Sequence, residues 1–62
     1  MKDYYFTFGF NQLHEGCYTV ISAKDRNAAR EEMNRRWGQK WAMQYDSAEE
    51  AGVDEFNLRP IN

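Results

Sequence analysis

The chain has 62 residues, ten of them aromatic, with 42% apolar and 29% charged side chains and a net charge of −2. That length allows one domain, which buries only about 60% of the surface its unfolded form exposes; one cysteine (Cys17) and one histidine (His14) exclude an internal disulfide and a zinc site built from four Cys or His ligands. The balance is globular rather than disordered, no apolar run approaches the roughly 20 residues that span a bilayer, and Met1-Lys2-Asp3-Tyr4 lacks a signal-peptide layout, so a cytoplasmic protein stabilised by a ring-rich core or by another chain is expected.

Residues 3–10 predict a strand, because aromatic and β-branched side chains dominate it. Alternation assigns Tyr4, Phe6, Phe8 and Phe10 to one face and Tyr5, Thr7 and Gly9 to the other. A polar loop over 11–16, closed by Gly16, leads to a second strand over 17–22, antiparallel to the first. Here Tyr18 and Val20 share a face, opposite Cys17, Thr19 and Ile21. Asp25 is a good N-cap for the helix that follows, whose apolar stripe is Ala28, Ala29, Met33 and Trp37. Gly38 ends it in a left-handed turn, with Arg35 and Arg36 at the negative end of its dipole.

A third strand is expected over 40–45, with Trp41, Met43 and Tyr45 on one face. Ser47 and Glu50 form a capping-box pattern for a short helical turn that Gly52 stops. Residues 54–61 predict a fourth, edge strand around Phe56 and Leu58, with Pro60 confined to an edge or end. The result is an α+β domain over 1–62: a small antiparallel sheet in the order β-β-α-β-(α)-β with one main helix packed on one face.

Charge is segregated along the chain. Residues 1–23 carry net −1; residues 24–41 carry six cations against Asp25, Glu31 and Glu32, net +3; residues 42–62 carry Arg59 against Asp46, Glu49, Glu50, Asp54 and Glu55, net −4. Such asymmetry can steer a partner, and it can equally be two clusters that face each other or solvent.

No catalytic constellation is assembled. His14 and Cys17 could form a base and nucleophile, but they lie across a loop with no third group to orient them, and read as ordinary loop and strand residues. Glu49, Glu50, Asp54 and Glu55 do not have the alternating ligand spacing and central glycine of a calcium loop, so they read as a solvated acidic surface or as charge offered to a basic partner. No cofactor or metal is expected. Arg26, Arg30, Arg35, Arg36 and Lys40 could track phosphates, against a sequence pI near 5.2 and the glutamates of the same helix. The Tyr5-to-Phe10 strand faintly resembles the base-stacking strand of an RNA-recognition motif, without its leading basic-glycine element or its element order.

The surplus of rings is the most informative feature. One helix covers one sheet face, so rings or long apolar side chains remain on the other, and exposed apolar area is usually a contact site. The alternative is that every ring is core or self-association surface.

Several segments together resemble very small proteins from phages and prophages of Gram-positive bacteria: Tyr5-Phe6-Thr7-Phe8-Gly9, Ala28-Ala29-Arg30 with Met33, Trp37 through Tyr45, and Ala51-Gly52-Val53. The resemblance implies a mobile-element origin and carries no catalytic residue over. Proteins of that kind often bind and block a host protein, including nucleases of CRISPR defence. The expectation is therefore a non-enzymatic phage-type accessory protein that binds, and inhibits, a host protein in the host cytoplasm without a membrane. The contact residues expected are Tyr5, Tyr18, Arg30, Arg35, Trp41 and Tyr45, with Glu49, Glu50, Asp54 and Glu55 steering the encounter. A nucleic-acid-binding module using the basic helix and a self-associating homodimer are the alternatives.

Overall fold

A computed structural model describes residues 1–9 and 12–61. The elements are β1 (Lys2–Thr7), β2 (Cys17–Ala23), α1 (Arg26–Trp37), β3 (Met43–Tyr45), α2 (Ala48–Ala51) and β4 (Arg59–Pro60). They build an α+β fold in which α1 covers one face of a four-stranded sheet of order β3-β1-β2-β4. β1 pairs antiparallel with both β2 and β3, whereas β4 runs parallel to β2. The sheet is therefore mixed at its last strand, where an antiparallel one was expected.

The pleat of β1 sets the core. Tyr4, Phe6 and Phe8 are buried on one face, as the alternation predicts; Phe10, expected to join them, lies outside the described residues. Register sets Tyr4 opposite Ile21 and Phe6 opposite Thr19, so Thr19, Ile21 and Ala23 complete that face. Above it lies α1, held at its start by the Asp25 carboxylate accepting from the Ala28 N–H at 2.8 Å, and closed where the Gly38 N–H donates to Asn34 O at 2.8 Å. Ala29 and Met33 are fully buried against the sheet, with Ala28 and Trp37 packed at the flanks. Burial of a side chain the size of Phe6 or Met33 contributes about 1.5–3 kcal/mol each.

Two boundaries differ from the sequence reading. β3 begins at Met43 rather than residue 40, because Trp41 is drawn into the turn after α1. Its indole N–H is shared between Asn34 Oδ1 (3.0 Å) and Gly38 O (3.1 Å), and its ring meets Phe6 edge-on at 5.2 Å. Trp41 therefore sits on the core side, while Met43 and Tyr45 pair with Thr7 and Tyr5 on the other face. The ladder starts where the Ala42 N–H donates to Thr7 O at 2.8 Å.

The second difference is at 54–58, which turns instead of extending. Gly52 ends α2 in the left-handed region (φ 78°). Asn57 (φ 52°) then repeats the device, with Asn57 N–H donating to Asp54 O and Leu58 N–H to Val53 O, the bond pattern of a Schellman closure. Only Arg59 and Pro60 are left to pair, and Pro60 sits at the sheet edge, where its missing N–H costs nothing. α2 is capped as its sequence predicts, Ser47 Oγ accepting from the Glu50 N–H at 3.1 Å. It packs on β1 and β3. Ala51 is buried yet stands outside the core under α1, which places α2 against the opposite sheet face.

Two stability changes follow. Thr19 is 1% exposed and its hydroxyl has no hydrogen-bond partner among the described residues. Thr19→Val keeps the β-branched shape and removes the orphaned group, and is expected to raise stability by about 1 kcal/mol, read as a higher urea midpoint at unchanged slope. Gly52→Ala forces an L side chain into the left-handed region and into the Phe56 ring, which lies over that glycine; a loss of about 1–2 kcal/mol is expected in the same titration.

Candidate partner-binding surface

The face of the sheet turned away from α1 carries Tyr5, Tyr18, Val20, Met43 and Tyr45. These positions alternate with the buried ones and are brought together by pairing: Tyr5 lies between Val20 and Tyr45, and Thr7 between Tyr18 and Met43. The Tyr5 and Tyr18 rings stack at 6.2 Å with 30° between their planes. All three tyrosines are half-buried, and Met43 is 54% exposed. Three of the contact residues expected from the sequence thus form one patch.

α2 and the turns after it border this patch. Between them and the sheet runs a groove of about 400 Å³ lined by Thr7, Tyr45, Ala51, Phe56 and Leu58 among others. Phe56 is 68% exposed. The sequence reading placed it at the centre of a strand; the turns at Gly52 and Asn57 instead leave its ring at the groove wall. The acids Glu49 and Glu50 on α2, and Asp54 and Glu55 in the turn, are all exposed on this element. An apolar, tyrosine-bearing surface therefore has an acidic rim. The missed signal was Asn57, which tolerates φ > 0 and turns the segment that follows the Gly52 stop.

The other expected contact residues lie elsewhere and have partners. Trp41 closes the end of α1, and Arg30 stands 5.9 Å from its ring. Arg35 donates to both Glu32 oxygens (3.0 and 2.5 Å) and Arg36 to one (2.6 Å). These hydrogen bonds, Arg35's first and then Arg36's, hold the Glu32 carboxyl below its ordinary range, and the Glu32 bond raises Arg35. Arg26 pairs with Asp46 at 2.5 Å and ties the start of α1 to the end of β3.

The His14 imidazole packs edge-on against Trp37 (4.7 Å) and Phe8 (5.3 Å), and Cys17 packs against the main core. Among the described residues, no three His, Cys, Asp or Glu side chains converge as a metal site, and no helix is long and apolar enough to cross a membrane. The chain matches no family model, no curated protein and no solved structure.

The Glu32 cluster sets a pH dependence. A depressed carboxylate contributes stability that is present above its unfolded pKa and is lost as pH falls through its lower folded pKa. Glu32→Gln is expected to flatten the acid limb of the stability–pH curve measured by thermal melts at low salt. The flattening should shrink at high salt because the cluster is at the surface.

Proposed function

We propose that this protein is a non-enzymatic accessory protein of phage type that docks on a host protein and blocks it, a defence protein of the CRISPR type being the kind of target its resemblance implies. The observation that supports this most is the sheet face opposite α1: three half-buried tyrosines and an exposed methionine in one patch, beside an exposed phenylalanine and four exposed acids. Rings on a rigid strand lose little conformational freedom when a partner covers them, and tyrosine is a typical hot-spot residue. The acidic rim favours a partner whose rim is basic and speeds the encounter at low salt. Glu49, Glu50, Asp54 and Glu55 act in steering; Tyr5, Tyr18, Tyr45 and Phe56 supply the buried contact.

Direct nucleic-acid binding has weaker support. Every arginine of α1 is engaged by a carboxylate or a ring: Arg26 by Asp46, Arg35 and Arg36 by Glu32, Arg30 by Trp41. A phosphate contact would have to compete with each of these.

The test is photo-crosslinking from position 45, with a benzophenone amino acid replacing Tyr45, in lysate of a Gram-positive host. A discrete adduct with one basic protein is expected. The purified target should then bind Tyr5→Ser or Tyr18→Ser at least about tenfold more weakly than the unchanged protein. Glu49→Lys combined with Glu50→Lys should slow association and remove its salt dependence. A smear of adducts equally strong with the tyrosine variants, or a mobility shift of short DNA at low salt that outcompetes the protein target, would overturn the proposal.

A further inference from the structure

The second unfilled surface lies along the outer edge of β2. Arg59 N–H donates to Gly16 O at 3.1 Å and Ile61 N–H to Tyr18 O at 2.8 Å, so the even-numbered residues of β2 turn their backbone groups away from β1. β4 registers only with Cys17 and Tyr18. The same alternation turns the N–H and C=O of Val20 and Ser22 outward, and no described strand pairs with them. Five residues of edge, Thr19 to Ala23, extend about 16 Å at roughly 3.3 Å each.

An open edge of this kind is usually blunted by charge, proline or a covering element. Pro60 blunts β4, but β2 beyond Tyr18 has only Val20 and Ser22, neither charged. Beside the edge runs a groove of about 490 Å³ between β2 and α1. Its floor is small and apolar, with Ile21, Ala23 and Ala28, and the 95% exposed Met1 lies at its margin. Its charge is positive. Glu32 is the one carboxylate in its wall and is shared by Arg35 and Arg36, while Lys24 at the mouth has no ion pair among the described residues. Lys24 and Arg36 against Glu32 make two cations to one anion in the lining, net +1.

We propose that this edge is a β-augmentation site that takes an extended, acidic peptide segment of another protein as a fifth strand. The four outward groups of Val20 and Ser22 bind its main chain. Alternate side chains of the peptide drop into the groove over Ala28 and Ile21, where there is room for small or β-branched groups. A carboxylate of the peptide meets Lys24. Main-chain bonds supply affinity, and the groove and the lysine supply selectivity. The proposal does not rest on the tyrosine patch, since its contacts come from the backbone edge of β2 and from α1, although Val20 belongs to both surfaces.

The experiment selects a displayed library of random nonapeptides against the intact protein and maps the enriched peptides by ¹H–¹⁵N spectra. Expected are enriched sequences with alternating β-branched residues and a terminal acid. They should shift the Val20 and Ser22 amides and slow their hydrogen exchange. N-methylation of the peptide at alternate residues should abolish binding. Lys24→Glu should weaken it by about threefold to fivefold with circular dichroism unchanged, and Ala28→Arg, which fills the groove floor from a half-buried position, by more than about tenfold. Four results would overturn the proposal: no enrichment, enrichment of basic peptides, shifts confined to the tyrosine face, or concentration-dependent protection of Val20 and Ser22 without peptide, which would make a second copy the occupant.

Discussion

Because β1 is an inner strand, with β3 on one side and β2 on the other, its pleat assigns each ring it carries to one of two layers. Tyr4, Phe6 and Phe8 go under α1; Tyr5 goes to the opposite face. The register with β2 and β3 then copies that division to their side chains, so that Thr19 and Ile21 are buried while Tyr18, Val20, Met43 and Tyr45 are turned outward. A slip of one residue would exchange the layers wholesale. One cysteine allows no internal disulfide, and no cluster of metal ligands forms among the described residues, so the register rests on the core that Phe6 shares with Met33 and on its ring contact with Trp41. The same pleat that makes the core makes the tyrosine patch, so the two cannot be altered independently.

The charge segregation along the chain becomes a segregation in space. The basic stretch is α1 and its flanks on one side of the sheet, and the acidic stretch is α2 and its turns on the other. The two meet at Arg26 and Asp46. That ion pair and the Gln44 side-chain amide, which donates to Arg26 O at 3.1 Å, tie the end of β3 to the start of α1. Local neutralisation inside α1, by Glu32 with Arg35 and Arg36, weakens the phosphate-tracking reading that a count of cations suggests. The uncompensated acids of 49–55 remain the stronger long-range feature.

Local signals were legible. Asp25 and Gly38, and Ser47 and Gly52, bound their helices because a cap is an interaction between residues three or four apart. The alternation in 4–8 and 17–21 gave the core face for the same reason. What was not legible depended on distant partners. Trp41 fits a strand by spacing, but its indole finds Asn34 and Gly38, and Phe6 beneath, so the strand starts later. Phe56 fits a strand too, until Asn57 adopts φ > 0 and folds the segment back. The parallel direction of β4 follows from where those turns deliver the chain. As for the candidate site, the three tyrosines were legible from alternation. Arg30, Arg35 and Trp41 were not separable from them, because only the fold shows them engaged on the other side.

The two proposed surfaces share β2, and that sharing has a mechanical consequence. Val20 contributes its side chain to the tyrosine face and its backbone to the open edge. A strand added at that edge would extend the sheet beyond Val20 and carry every second side chain of its own onto the same face, next to Tyr18 and Ser22. It would also hold β2 in one twist, and through the Tyr5–Tyr18 stack limit the rotamers open to the patch. Occupancy of the edge would then lower the ordering cost of covering the tyrosines. Coupling of this sign arises from shared secondary structure alone, with no rearrangement of the fold.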